Sequence, residues 1–248
     1  MALFQYSWFP DFYKSIEELK TLAMTENWDY NKHPTGKNPI LVNYIHHTFD
    51  KIQSENKIEK YGEFTCFNTG LVTENQEEIY AYFQDNKRPQ TTIPYYFIGW
   101  RKSSHRDLSK FAKLGETAFY ISDPADLIYD IKLELRTNID HIIQDNKARF
   151  PEPLNNMENH LLSNILNGTI EDAKKRVKRN YKTAIPQYYN GKLQLLLPLC
   201  LQTKANADLA LVIEKENGVY RASTCLTLDM AINNARLIAK PDDEWLKV

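Results

Sequence analysis

Apolar residues recur along this chain at two periods, and the change from one to the other marks out its elements. Ile40, Leu41, Tyr44, Ile45, Thr48 and Ile52 fall three and four apart, the spacing of one helical face. Asn38-Pro39 ahead of them supplies a cap and a proline suited to the first helical position. Ser15 followed by Glu18 matches a capping box, predicting an earlier helix through about Met24. Aromatic and β-branched runs predict strands at 63–67, 79–84 and 95–101. A short helix near 107–114 and a strand at 117–121 follow. Ile131, Leu133 and Leu135 alternate with Lys132, Glu134 and Arg136, so one face of a strand is buried there.

Further on, residues 138–149 predict a helix closed by Phe150-Pro151, and Pro151-Glu152-Pro153 is the best linker. Helices are expected at 154–166 and 170–181, the second capped by Thr169 with Asp172 three residues on. Strands at 193–200, 209–214 and 219–224 come next, the last two joined by a turn at Glu216-Asn217-Gly218. Both faces of 193–200 are apolar, which makes it a central strand beside 209–214, with a bulge or strand end at Pro198. A final helix covers 228–237. Helices and strands mix without βαβ alternation, so the expected class is α+β. The reading is a single compact domain over 1–248, a largely antiparallel sheet packed with helices, with a weak subdivision near 151–156.

Composition narrows the function more by exclusion than by assignment. The 248 residues are 42% hydrophobic and 25% charged, ordinary for a globular protein. The formal charge of −1 provides no global field for an anionic polymer, so nucleic-acid affinity requires a local basic patch. Residues 1–12 lack the basic and apolar segments of a secretion signal, and the longest apolar run, 193–201, cannot span a bilayer. Three widely spaced cysteines read as reduced thiols of a cytoplasmic protein. No P-loop, GxGxxG, HExxH, paired CxxC, GxSxG or Lys-x-Asp-Gly motif occurs, so no cofactor or metal is expected.

Two polar stripes carry candidate chemistry. Lys175, Lys178, Arg179 and Lys182 are spaced to share a helical face, flanked by Lys174 and Arg176, while Val177 and Tyr181 face the core. Such a stripe tracks phosphates and releases counterions; the plainer reading is complementation of the helix dipole by acids Glu171 and Asp172 at one end and bases at the other. Tyr188 and Tyr189 just beyond suit stacking on unpaired bases, although with fifteen tyrosines in the chain packing is the commoner use of any one. In the second stripe Asn138, His141, Asp145 and Arg149 lie along one helical face. A carboxylate four residues from a histidine can orient it as a general acid or base, and the arginine can hold a phosphate; the plainer reading is a solvated face with salt bridges. Asp229, Asn233 and Arg236 form a third polar face. Phe67-Asn68-Thr69-Gly70 reads as a turn after a strand, able to cradle an anion or simply to turn. His46 and His47 are helix neighbours that point apart, which suits packing or capping better than joint metal ligation.

Residues 138–151 and 175–189, the ending Leu226-Thr227-Leu228-Asp229-Met230-Ala231 with Asn234-Ala235-Arg236-Leu237-Ile238, and Phe67-Asn68-Thr69-Gly70-Leu71 are distinctive together. They resemble an uncharacterised microbial domain family of unknown function, often joined to OST-HTH (LOTUS) or cold-shock RNA-binding modules. The resemblance implies an RNA-linked role and transfers no chemistry. The expectation is an RNA-associated protein, acting on RNA phosphoesters or ends without ATP through His141, Asp145 and Arg149. The alternative is a non-catalytic RNA-binding or nucleotide-sensing module.

Overall fold

The computed structural model describes residues 2–30, 34–89, 91–241 and 244–246, and the chain divides into two compact units, Met1–Phe119 and Tyr120–Val248. The α+β class holds, with the strands in two five-stranded sheets. The boundary falls between Phe119 and Tyr120 and not near 151–156, where Leu154 is buried in the core of the second unit.

In the first unit, α1 (Ala2–Tyr6), β1 (Ser7–Trp8), α2 (Phe12–Leu22) and α3 (Pro39–Ser54) precede β2 (Glu59–Tyr61), β3 (Phe64–Val72), β4 (Glu78–Asp85) and β5 (Tyr95–Lys102). The sheet runs β1-β5-β4-β3-β2, antiparallel except for the parallel pair of β1 and β5. Helix α3 starts at Pro39 as expected, and its buried residues include Ile40, Leu41, Tyr44, Ile45, Thr48 and Ile52. Helix α2 starts earlier than the capping box implied. Asp11 is its cap, accepting from Lys14 N at 2.9 Å, while Ser15 is buried within the helix and donates to Phe12 O.

Three expectations fail in this unit, and in the first of them packing overrides local turn chemistry. Phe67-Asn68-Thr69-Gly70 lies inside β3 and does not end it. Its polar groups are spent: Thr69 donates to Ile79 O, and Asn68 donates to Tyr80 and Gly115 O and accepts from Gly70 N. Gly70 has φ +73°, and a Cβ there would lie 2.6 Å from the Tyr44 hydroxyl, so the glycine serves close packing at a bulge. Residues 117–121 form no strand, and the short helix near 107–114 is one 3-10 turn, Arg106–Leu108.

In the second unit β6 (Leu135–Thr137), α4 (Ile139–Asn146), α5 (Asn159–Arg179), β7 (Ile185–Tyr189), β8 (Lys192–Leu199), β9 (Leu209–Glu216), β10 (Val219–Thr227) and α6 (Leu228–Arg236) follow in order. The sheet runs β6-β10-β9-β8-β7, antiparallel except for the parallel pair β6–β10. Leu195, Leu197 and Leu199 of β8 and Leu209, Leu211 and Ile213 of β9 join one core with Leu162, Leu166, Ile170 and Val177 of α5. The alternate residues Leu196, Ala210 and Val212 are buried too, so β8 and β9 are central, as their two apolar faces required. Strand β8 ends one residue after Pro198. Asn217 and Gly218, at φ +49° and +78°, make the turn between β9 and β10.

Three boundaries differ. The alternation at 131–135 is not a buried strand face: Ile131 is exposed and β6 begins at Leu135. The two helices expected at 154–166 and 170–181 are one, α5, whose buried residues Leu162, Leu166, Ile170, Ala173 and Val177 keep a single stripe through Gly168. Thr169 caps nothing; its hydroxyl donates back to Ile165 O within the helix. The edge strand β7 was not foreseen, because its sequence reads as a tyrosine-rich tail.

Candidate nucleic-acid interface

Helix α5 buries its leucine stripe and turns its carboxyl-terminal cations outward. Lys175, Lys178 and Arg179 are exposed, and the helix ends at Arg179. Lys182 stands beyond it, exposed on the 3-10 turn Tyr181–Thr183, whose first amides are capped by the Asn180 side chain. The seven-residue face expected from the sequence is therefore broken between Arg179 and Lys182. Half of the six cations are engaged: Lys174 with Glu171 at 2.7 Å, Lys175 with Asp172 at 3.6 Å, and Arg176 with the Lys204 carbonyl. Among the described residues no acid lies within ion-pair distance of Lys178, Arg179 or Lys182. Dipole complementation does not require three unpaired cations so close together.

The tyrosines divide unequally. Tyr188 is half-buried with its ring edge-on to Tyr120 at 4.8 Å, a packing role. Tyr189 is exposed at the end of β7. Tyr181, between the helix and Lys182, is the most exposed of the three at 64%. It borders an apolar cleft of about 280 Å³, lined also by Ile128, Lys182, Pro186, Ala235 and Lys240. Helical spacing puts Tyr181 with Val177 towards the core, but the helix ends at Arg179 and leaves Tyr181 outside; its place in the run Asn180-Tyr181-Lys182 is the signal for exposure.

The other stripe is split by the fold. Asn138 caps α4 by accepting from His141 N at 3.2 Å, and His141 Nδ1 lies 3.3 Å from Asp145 Oδ2, both side chains about half exposed. Arg149 is directed elsewhere. Its Nη1 donates to Asn146 Oδ1 and to the Cys225 carbonyl, tying the end of α4 to β10. Asn146, only 2% exposed, also accepts from the Thr224 hydroxyl at 2.9 Å. Asn146 is thus the hub that spacing did not reveal, since its function lies in contacts to a distant strand.

A polar row crosses the face of this sheet that turns away from α5. Arg136 pairs in register with Arg221, and Arg221 with Glu214. Gln194 donates to Glu214 at 2.9 Å, Gln187 to Gln194 at 2.9 Å, and Asn234 of α6 to Gln187 at 3.1 Å. The row floors a trough of about 600 Å³ that reaches Asn138 and Asp140 at the start of α4. Its two arginines are paired, Arg136 with Glu134 and Arg221 with Glu216, and Glu214 with Lys192, while Asp140 has no ion pair among the described residues. Partial burial works to raise the Glu214 pKa, but the Lys192 ammonium and the Gln194 amide outweigh it and hold the carboxyl below its usual value. Asp229, Asn233 and Arg236 of α6 are half-buried.

His46 packs edge-on to Phe4 at 4.9 Å while His47 is exposed, so the two do point apart. Cys66 and Cys225 are free thiols whose burial pushes their pKa up to about 12. Among the described residues no group of three or more His, Cys, Asp or Glu side chains gathers as a metal site, and no helix is long and apolar enough to cross a membrane.

The family model described as Domain of unknown function (DUF3825) matches residues 19–245. The chain belongs to this family. The DUF3825 match runs across both units and includes α5, the cleft and the polar row. Comparison with curated proteins and with solved structures found no match.

Proposed function

We propose that the second unit is a single-stranded RNA-binding module in which the end of α5 holds backbone phosphates. The observation that carries this reading is the exposure of Lys178, Arg179 and Lys182 with no acid in ion-pair range. In a chain of net charge −1, such a cluster is where a polyanion is attracted. The resemblance to domains joined to OST-HTH (LOTUS) or cold-shock RNA-binding modules supports the same partner. The three unpaired cysteines accord with a cytoplasmic location.

Affinity for a generic single-stranded RNA, measured against salt, tests the proposal. Three phosphate contacts give a log–log slope of about −2, at roughly −0.7 per contact. Lys178→Glu with Arg179→Glu should flatten that slope and weaken binding; unchanged affinity would remove α5 from the interface.

A catalytic role is the second reading, favoured by the 3.3 Å approach of His141 to Asp145. In it His141 moves a proton at a ribose hydroxyl or leaving oxygen and Asp145 orients the ring. Arg149 contributes to it less than its spacing implied, because its Nη1 is committed to Asn146 and Cys225. RNAs bearing hydroxyl, phosphate or cyclic phosphate ends, incubated with wild type and His141→Ala, decide the matter. Product from wild type alone supports catalysis; product from neither supports the binding module.

A further inference from the structure

We infer that the apolar cleft beside Lys182 receives one unstacked base of the bound RNA strand, with Tyr181 as its stacking wall. This inference rests on the RNA-binding reading above and specifies how the strand is held.

The cleft is built from three stretches of the second unit. Leu127 and Ile128 end the 3-10 turn Pro124–Leu127, Tyr181 to Pro186 run into the start of β7, and Ala235 in the last turn of α6 is joined by Ala239 to Pro241 beyond it. At about 280 Å³ it falls just below the roughly 300–1,000 Å³ of pockets for drug-sized ligands, which suits one ring system. Its lining is apolar except for the Tyr181 hydroxyl and two lysines, Lys182 and Lys240. Among the described residues no carboxylate lines it. Burying a free charge among these residues would be costly, whereas a flat neutral ring with a phosphate on either side matches both the lining and the lysines.

Exposure points to the same place. Ile128 is 50% and Tyr181 64% exposed, and both border the cleft. Large apolar surface left open in one spot marks a contact site more than scattered single residues do. Lys182 belongs both to the cleft and to the unpaired cations that begin with Lys178 and Arg179. A strand whose phosphates lie along α5 therefore arrives at the cleft with its next base free to enter. The trough on the sheet face away from α5 is larger, but its two arginines are already paired with glutamates, and its carboxylates, Asp140 among them, repel phosphate. The two lysines call for an anionic partner, and the ring of Tyr181 favours RNA over an acidic peptide, because a base stacks on a planar wall and a carboxylate side chain does not.

The experiment uses the full chain and a mixed-sequence single-stranded RNA octamer carrying 2-aminopurine at one position at a time. Wild type, Tyr181→Ala and Ala239→Trp are compared; both positions are exposed, so both variants leave the core intact. Wild type should change the 2-aminopurine fluorescence at one position, and Tyr181→Ala should lose roughly five- to a hundred-fold in affinity. Ala239→Trp, which fills the cleft, should lose a similar factor, and neither change should alter the salt slope. An octamer without bases should bind wild type and Tyr181→Ala equally. Tight, salt-dependent binding with no fluorescence change and no loss in either variant overturns the base slot while leaving the α5 reading intact, and leaves the cleft to an apolar side chain of a protein partner. No binding of the octamer by wild type overturns both.

Discussion

The two units solve the same problem, burying a twisted five-stranded sheet, with different side chains. The first builds its interior from rings: Phe9, Phe67, Phe83, Phe97 and Trp100 meet in stacked and edge-on pairs with centroids 4.4 to 6.2 Å apart. Its cations lie on rings too, Arg88 at 3.4 Å over Trp8 and Lys110 at 3.6 Å over Phe64. The second unit packs leucine and isoleucine between α5 and its sheet and leaves Lys178, Arg179 and Tyr181 outside. Abundant aromatic residues are therefore no sign of base recognition in this chain. Where they are dense they are structural; the second core holds few rings, Tyr129, Phe150 and Tyr220, and Tyr181 stands outside it.

The sharpest test of that contrast is Phe83→Ala, which should cost about 3–5 kcal/mol by urea unfolding, because rings packed on several others cannot collapse into the gap. Leu197→Ala in the second unit should cost about 2–5 kcal/mol. A loss for Phe83→Ala well below that for Leu197→Ala would break the comparison.

Acid separates the units next. Burial holds the His46 pKa down at about 4, against an ordinary value near 6.5. Between those values the unfolded chain binds a proton that the folded chain refuses, so stability is present above pH 6.5 and is lost as pH falls towards 4. The loss amounts to about 3 kcal/mol at 1.36 kcal/mol per pKa unit. The ring neighbours Phe4 and Phe12 suit a phenylalanine replacement. Unfolding of His46→Phe at pH 7 and pH 4.5 should show a smaller drop than wild type, since acids common to both proteins cancel in the difference.

A smaller effect tests the tie between α4 and β10. Arg149→Ala should destabilise by about 1–3 kcal/mol, because it removes the guanidinium donor from buried Asn146 Oδ1 and the Cys225 carbonyl. His141→Ala on the same helix should change stability by less than about 0.5 kcal/mol, being exposed. Equal losses would mean that the two residues share one role after all. Last, Lys178→Glu with Arg179→Glu, which loses the favourable charge at the end of α5, should cost only about 1 kcal/mol of stability while RNA affinity falls.

The α+β class, the central place of 193–200 beside 209–214, the Asn-Gly turn and the start of α3 were all legible in the sequence, because each rests on a short-range rule. Apolar residues on both faces force a strand inward, and a left-handed pair of residues favours Asn-Gly. The candidate site was legible only as stripes. Spacing places His141, Asp145 and Arg149 on one side of a helix, but nothing local says that Arg149 will meet the carbonyl of Cys225, 76 residues away. The break after Arg179 was hidden likewise, since Asn180 is an ordinary residue until its side chain caps the next turn.

By itself, then, the sequence determined which segments are helix or strand over most of the chain and which residues are cationic, through periodicity and charge that act within a few residues. Tertiary structure decided the rest. It divided the chain at Phe119 instead of at the prolines, because cores form where distant apolar residues can meet and not where the chain bends. It fused two expected helices into α5, because one leucine stripe continues past Gly168 to Val177. It also chose which of the six cations stay free, because ion pairing depends on what the fold places within about 4 Å, and spacing along one helix is blind to that.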